Sequence, residues 1–433
     1  MPEKKNGTAF NNDKSRQQSI VAGLDIGTTK VCALIASPDT KPGAIRILGL
    51  GIAESEGLNR GVVVNIEKTI KTIRSVIEQA EQQSGIKIKE VLVGIAGDHI
   101  QSFQTRSIVT ISNPTQEISD DDVARLIEEA RKVPLSPERK ILHLIPQDYT
   151  IDGQDGINDP VGMSGIRMEA NVHVVTGLTT AIQNIHKCVE RAGLNVTEVV
   201  LEPLASSYAV LTDEEKEVGV ALIDIGGGTT DIAVFADNII RYTSVFGIGG
   251  RQVTNDIRHI LEIISSQAEK IKREYGHAYE DTILDDEIFM IPGIGGREPK
   301  EITKTQLCKI IQPRMEELLE FALAEIRRSG FAYRLGAGVV LTGGASLLKG
   351  TEELAGQVFG MPVKIGTPSG ISYSGLAPEI ESPVYSTAVG LILYAMKNNV
   401  ASVFTEQPQI ATEIQTKEKV SIINKFKKFI EEL

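Results

Sequence analysis

The same unusual passage occurs twice in this sequence. An apolar run at residues 20–24 leads into Asp25-Ile26-Gly27-Thr28-Thr29-Lys30, and residues 31–36 are apolar again. A second apolar run at residues 218–223 leads into Asp224-Ile225-Gly226-Gly227-Gly228-Thr229-Thr230-Asp231, and residues 232–235 continue it. Each passage predicts a strand, a tight glycine turn and a returning strand. One copy would be an ordinary hairpin. Two copies, far apart in a chain of 433 residues, predict a duplicated α/β fold rather than a short-period array.

The stretches between them fit two halves with an insertion. Residues 45–53 read as a strand and 66–83 as a helix, with Ile66, Ile70, Ile73, Ile77 and Ala80 on one face and Gly85 as its stop. Residues 91–96 read as a strand. The segment 97–175 has its own rhythm: short strands at 103–111, 141–151 and 170–175, a Gly/Asp/Asn-rich loop at 152–165, and a helix to about Lys132. Ser119 and three aspartates open that helix, which suits the helix dipole. Beyond it come a helix at 179–192, a strand at 196–201 and a helix at 203–211. Residues 262–275 read as helical, and 300–328 as one or two helices. A strand at 338–341 ends in Thr342-Gly343-Gly344-Ala345-Ser346. A strand at 363–365 and an apolar helix at 383–396 follow.

A glycine turn between strands aims several backbone N–H groups into one hollow, and such a nest binds anions, phosphate above all. Gly27, Gly226, Gly227 and Gly228 allow close approach where a Cβ would collide. Thr28, Thr29, Thr229 and Thr230 add hydroxyls, and Lys30 adds a cation. Asp25 and Asp224 end their strands and suit Mg²⁺ held through water, because that ion keeps its hydration and takes few carboxylates. With the later Gly343-Gly344 turn, the two passages predict a cleft that grips a nucleotide from both sides. No Gly-x4-Gly-Lys-Ser/Thr occurs, so the site is not a P-loop. Gly247-Ile248-Gly249-Gly250 comes nearest to a dinucleotide fingerprint and continues wrongly for one. The net charge of -12 argues against nucleic acid as a partner. Three scattered cysteines and six scattered histidines predict neither a disulfide framework nor a zinc site, and no apolar run is long enough to span a bilayer. Residues 1–19 are polar, without the apolar core of a secretory signal, and read as a disordered tail.

The last segment follows different physics. Residues 398–419 are polar, include Pro408 and read as a linker. After them Ile422, Ile423, Phe426, Phe429, Ile430 and Leu433 fall at helical spacings on one face, with Lys425, Lys427, Lys428, Glu431 and Glu432 off it. Such a helix is about 21 Å long, too short and too charged to cross a bilayer but suited to lie in its interface. The lysines favour anionic lipid. Docking on the protein's own body is the other reading, and the long linker favours the membrane.

These runs resemble the actin, Hsp70 and sugar kinase superfamily. Residues 25–30 resemble its first phosphate loop, 224–231 its second and 341–346 its adenosine loop, with Gly343, Gly344 and Ala345 at the base. The resemblance implies ATP and Mg as ligands. It implies that Glu202 orients the attacking water and that Glu202, Asp25 and Asp224 support slow hydrolysis, at a rate no spacing sets. The run 268–273 resembles the helix whose Glu269 and Lys272 touch adenosine and ribose, a solvated charged face being its other reading. Gly249-Gly250 resembles a glycine pair facing the phosphates, a plain helix start being the other reading.

Within that superfamily the chain is similar to the FtsA family of bacterial cell division proteins over nearly all its length from about residue 20. The resemblance implies an actin-like fold with one half at 20–96, 176–202 and 383–397, and the other at 203–240 and 301–382. An FtsA-type subdomain occupies 97–175, a further subdomain 241–300 and a membrane-targeting amphipathic helix 420–433. It further implies a polymer on the cytoplasmic side of the membrane at the division septum. There the 241–300 subdomain would hold the C-terminal peptide of FtsZ, while 97–175 would contact neighbouring copies and later division proteins. Three other readings share the fold: a pilus-assembly relative of the PilM type, a small-molecule kinase, and an Hsp70-type chaperone, which the lack of a following substrate domain disfavours.

Overall fold

The computed structural model describes residues 20–400, apart from positions 42, 114, 292, 294–297, 373–379 and 399. The predicted N-terminal tail, nearly all of the predicted linker and the predicted amphipathic helix lie outside the described residues.

Apolar runs without polar alternation form strands covered on both faces. β1 (Val21–Ile26) is buried throughout and returns as β2 (Lys30–Pro38) and β3 (Ile45–Glu54). The two-residue strands β4 (Leu58–Asn59) and β5 (Val62–Val63) make a short ladder before α1 (Ile66–Ser84) and β6 (Glu90–Ile95). Asn65 caps α1 by accepting from Lys68 N, and Gly85 ends it in the left-handed region.

The insertion holds β7 (Gln101–Thr110), α2 (Asp120–Arg131), β8 (Arg139–Ile151), β9 (Gln154–Ile157) and β10 (Arg167–Leu178). They form an antiparallel sheet in the order β7-β10-β8-β9, with its own core around Leu126, Met168 and Val172. The Ser119 amide and hydroxyl both donate to Asp122, which explains the acidic opening of α2. β9 lies within the segment read as loop from its glycines. It pairs at Tyr149↔Ile157 and Ile151↔Gln154.

α3 (Thr179–Ala192), β11 (Asn195–Leu201), α4 (Glu202–Val210) and α5 (Asp213–Val218) lead to the second half. That half contains β12 (Val220–Ile225), β13 (Thr230–Ala236), β14 (Ile239–Phe246), α6 (Gly250–Leu261) and α7 (Ser265–Tyr275). β15 (Ile288–Ile291) and β16 (Lys300–Thr303) pair with each other. α8 (Lys304–Arg328), β17 (Val339–Thr342), α9 (Thr351–Phe359), β18 (Val363–Ile365) and α10 (Ser386–Lys397) complete it. Two readings change here. The helix expected over 262–275 is α7, which starts three residues later at Ser265, because Glu262 takes a left-handed φ of 56° and ends a separate helix, α6, whose span was not predicted. The region 300–328 is a short strand and one helix of 25 residues.

The duplication is plain in the topology. The first sheet runs β3-β2-β1-β6-β11 and the second β14-β13-β12-β17-β18. In each, the central strand pairs antiparallel with the strand after its turn and parallel with the strand on its other side. α4 and α10 occupy a core shared by both sheets, with Ala205, Ala209, Ala388 and Leu391 among residues of β2, β12 and β13. They cross closely at Gly390, where a Cβ would stand 2.0 Å from the Ala205 carbonyl oxygen. This pair of helices sets the two halves, and hence their two turns, against each other.

Candidate functional site

The two glycine turns have one backbone shape. Gly27 N donates to Lys30 O at 2.9 Å, and Gly226 N donates to Thr229 O at 3.0 Å. The flanking pairs, Ile26↔Val31 and Ile225↔Thr230, are equivalent. The turns also meet. A Cβ on Gly227 would lie 2.2 Å from Thr29 Cγ2, and one on Gly228 would lie 2.6 Å from Thr28 Oγ1. The second turn is all glycine where the threonines of the first take up the space.

Carboxylates line the floor between them. Lys30 Nζ lies 2.9 Å from Asp25 Oδ2 and donates to the Val384 carbonyl at 2.5 Å, beside the Tyr385 ring. Burial opposes the charge on Lys30, but Asp25 prevails and holds its pKa above the ordinary lysine value. Asp224 Oδ2 accepts from Ser206 Oγ at 2.9 Å and from Thr387 Oγ1 at 3.4 Å. Burial still pushes Asp224 up to about 6. Asp231 accepts from Thr229 Oγ1 at 3.1 Å through Oδ2, while its buried Oδ1 has no hydrogen-bond partner among the described residues. Its pKa is raised by burial and then by the charge of Asp224. Glu202 opens α4 with its side chain over Gly94, and burial followed by Asp25, Asp231 and Asp224 pushes its pKa well up. Four acids and one lysine thus act on one another in a single cluster. Among the described residues no three His, Cys, Asp or Glu side chains form a ready metal cage.

The other candidates gather on the second half. Gly343 has a φ of 84°, and a Cβ there would stand 2.3 Å from Asp224 Oδ1, so the turn holding Gly344 and Ala345 packs directly on the start of the second glycine turn. Glu269 and Lys272 face inward. Lys272 Nζ reaches Glu269 Oε2 at 2.7 Å, Thr254 Oγ1 at 2.9 Å and the Gly250 carbonyl at 3.0 Å. Burial would raise the Glu269 pKa, but Lys272 pulls it down to about 2. Lys270 and Arg273, on the same helix, are exposed. The solvated-face reading therefore holds for those two and not for Glu269 and Lys272. Gly249 caps α6, and the first helix amides donate back to the turn: Gly250 N to Gly226 O at 2.9 Å and Arg251 N to Gly227 O at 2.8 Å. This helix start braces the second turn.

Sequence reasoning left out Ser206, Thr387 and a role for Asp231. Ser206 lies one helical turn after Glu202 on α4, a signal that was available. Its contact with Thr387, 181 positions away, was not. The membrane candidates, from Ile422 to Leu433, lie outside the described residues.

Comparison with known proteins adds to this geometry. The family model described as cell division protein FtsA matches residues 221–390, and that of the SHS2 domain inserted in FtsA matches residues 97–176. A cell division protein FtsA from Pseudomonas aeruginosa is 45% identical over 378 residues, covering 87% of this chain and 89% of its own. The Escherichia coli protein of the same name is 39% identical over 396 residues, covering 89% and 93%. Among solved structures, a PilM–PilN type IV pilus biogenesis complex gives a TM-score of 0.62 at 17% identity, over 86% of this chain and 98% of that one. The ADP-bound MreB5 of Spiroplasma citri gives 0.56 at 14% identity, over 88% and 98%. The structural likenesses establish an actin-like fold.

Proposed function

The chain belongs to the FtsA family of cell division proteins, and from that premise we propose that it is a nucleotide-switched filament protein that tethers the division machinery to the membrane. One observation carries the nucleotide part: Gly227 and Gly228 of one half touch Thr29 and Thr28 of the other. A triphosphate seated there would meet amides from both turns at once. Lys30, fixed beside Asp25, would face its charge. The residues present fit Mg·ATP. Asp25 and Asp224 stand at the ends of equivalent central strands, and the unpartnered Asp231 oxygen offers one more acceptor to a hydrated ion. Bound Mg²⁺ would neutralise phosphate charge. Glu202 and Asp231, with their raised pKa values, would hold protons near an attacking water, which suits slow turnover. Gly343, Gly344, Ala345, Glu269 and Lys272 would enclose the adenosine.

Closing the halves around nucleotide would set the surface that copies of the chain use to polymerise. Residues 241–300 would take the FtsZ C-terminal peptide, and the inserted 97–175 subdomain would meet neighbours and later division proteins. The segment 420–433 would lie in anionic lipid at the cytoplasmic face of the septum. No helix among the described residues is long and apolar enough to cross a membrane. A single amphipathic tail binds weakly, so anchoring would gain its strength from many tails on one filament.

Calorimetry with Mg·ATP tests the switch. The full chain should bind, and Gly227→Val, whose side chain enters the space of Thr29, should bind at least about 100-fold more weakly. Equal affinity would remove the two-turn clasp. Co-sedimentation with anionic vesicles in ATP tests the anchor: a chain ending at Lys419 should stay in solution while keeping its calorimetric signal.

A further inference from the structure

The inserted subdomain belongs by chain to the first half, leaving it after β6 and rejoining it at α3. Its base is built into that half. Ile100 and Val175 lie in the first-half core, and the Leu201 amide of β11 donates to His143 Nε2 of β8 at 3.0 Å. Yet its strands also grip the second half. β14 is the outer strand of the second sheet, and β7, β8 and β10 all meet it. Ser102 Oγ of β7 donates to the Thr243 carbonyl at 2.7 Å, and His173 Nε2 of β10 lies 2.9 Å from Thr243 Oγ1. From β8, Gln147 Nε2 donates to the Ile240 carbonyl at 2.7 Å, and Asp148 Oδ2 accepts from Arg241 Nη1 at 2.6 Å. A bulge re-aims that arginine: Val234 pairs with Tyr242 and Phe235 with Ile240, which leaves Arg241 without a partner residue on β13. Gln147, His173, Arg241 and Thr243 are all buried. Parting the seam would leave several buried donors and acceptors unmade at once, so it resists partial opening.

β14 carries this grip to the two turns. Its Val245 packs against the first-half core. The next residue, Phe246, pairs with Thr230 at the end of the second turn, and Thr230 Oγ1 donates to the Ile248 carbonyl at 2.8 Å. We propose that the inserted subdomain is a tie across the two halves, whose seam on β14 holds the second turn against the first and thereby sets the affinity for nucleotide.

The coupling rests on the nucleotide reading above. α4 and α10 join the halves through one shared core, and a contact of that kind can act as a hinge. The seam is a second attachment. It runs from Ile240, in the shared core, along β14 toward the turn, and so restrains movement about the hinge. In the arrangement it holds, the two turns touch, which is the arrangement the clasp requires. A tie that favours this arrangement lowers the cost of ordering the site before nucleotide binds. Nucleotide must then strengthen the seam by the same factor. Anything that draws β8 away from β14 loosens the grip on nucleotide, which gives the inserted subdomain a route to regulate the cleft.

Calorimetry with Mg·ATP on the full chain tests the tie. The double variant Gln147→Leu with Asp148→Ala removes both contacts made by β8 and should bind at least about tenfold more weakly than wild type. Glu169→Gln is the control. It alters the same inserted sheet where Glu169 pairs with Arg106 and Arg167, away from β14, and should bind ATP as wild type does. Wild-type affinity in a folded double variant, or an equal loss in the control, overturns the tie. Should the double variant fail to fold, hydrogen exchange on the wild-type chain decides. Mg·ATP should slow exchange at residues 141–148 and 239–246 by about threefold or more and leave 120–131 unchanged. Unchanged exchange along the seam while calorimetry shows ATP bound overturns the coupling. If calorimetry shows no ATP binding to wild type, the nucleotide reading fails. The tie is then decided without ligand: the double variant should exchange faster than wild type at 226–230 and equally at 120–131, and equal exchange at both overturns it.

Discussion

The two glycine turns share a backbone and differ in almost everything else. The first, Gly27-Thr28-Thr29, carries a cation, since Lys30 follows it and is fixed by Asp25 and the Val384 carbonyl. The second, Gly226-Gly227-Gly228, carries an acid in the equivalent region. Asp231 is buried, held on one oxygen by Thr229 and unpartnered on the other. The hairpin is common to both halves, as the proposed clasp of a phosphate by amides from both sides would require. The side chains divide the work, with a fixed positive charge on one side and protonatable carboxyls on the other. The glycines divide in the same way, because two bulky turns could not meet.

The largest consequence is a difference in stability between matched substitutions. Lys30→Met strands the Asp25 carboxylate in a site where its side chain is 7% exposed. Breaking such a pair from one side costs about 3 kcal/mol or more. Asp231→Asn removes a carboxyl whose raised pKa already reports that its charge is disfavoured, and should be neutral or stabilising by about 1 kcal/mol. Urea unfolding at pH 7 without nucleotide measures both. Equal losses would mean that the two turns are electrostatically alike.

The second consequence is a pH slope that belongs to one turn. The Asp224 pKa of about 6 lies above its unfolded value, so the folded chain keeps a proton that the unfolded chain loses. Its contribution is therefore greatest below about pH 4 and is lost as pH rises to about 6, roughly 2–3 kcal/mol in all. Glu202 and Asp231 are shifted in the same direction and add to the slope. Glu269, pulled down to about 2, acts with the opposite sign, but below this window. Asp224→Asn should flatten the fall in urea midpoint between pH 4.5 and 6.5 in nucleotide-free protein. Parallel slopes in wild type and variant would assign the pH dependence elsewhere.

The same contrast explains what could be read from the sequence. Both hairpins were legible because a continuous apolar strand and a glycine turn are local signals. So was α1, whose Ile70, Ile73, Ile77 and Ala80 are all buried as the 3.6-residue period requires. The span of α6 was not read, and the start of α7 was read three residues early, since a glutamate, not a glycine, takes the left-handed position at 262. The network around Asp224 was half legible. Its strand end was in the motif, but Ser206 and Thr387 reach it only because α4 and α10 pack between the sheets. The inward turn of Glu269 and Lys272 was likewise a tertiary outcome, set by Thr254 and the Gly250 carbonyl.

The smallest predicted effect isolates the contact between the turns. Gly227→Ala places a methyl 2.2 Å from Thr29 Cγ2 and 2.4 Å from its Oγ1, so the first turn must yield. Thr29 is exposed and can move, which limits the expected loss in Mg·ATP affinity to about tenfold, near 1.4 kcal/mol. Gly27→Ala meets something different, the Lys30 carbonyl oxygen of its own turn at 2.9 Å, and no change on the second half can relieve that. Adding Thr29→Gly should therefore restore most of the affinity lost by Gly227→Ala and none of that lost by Gly27→Ala. A double-mutant cycle by calorimetry reads this coupling directly. Additive effects in the first pair would show that the turns do not press on each other when nucleotide is bound, and that each grips its phosphates independently.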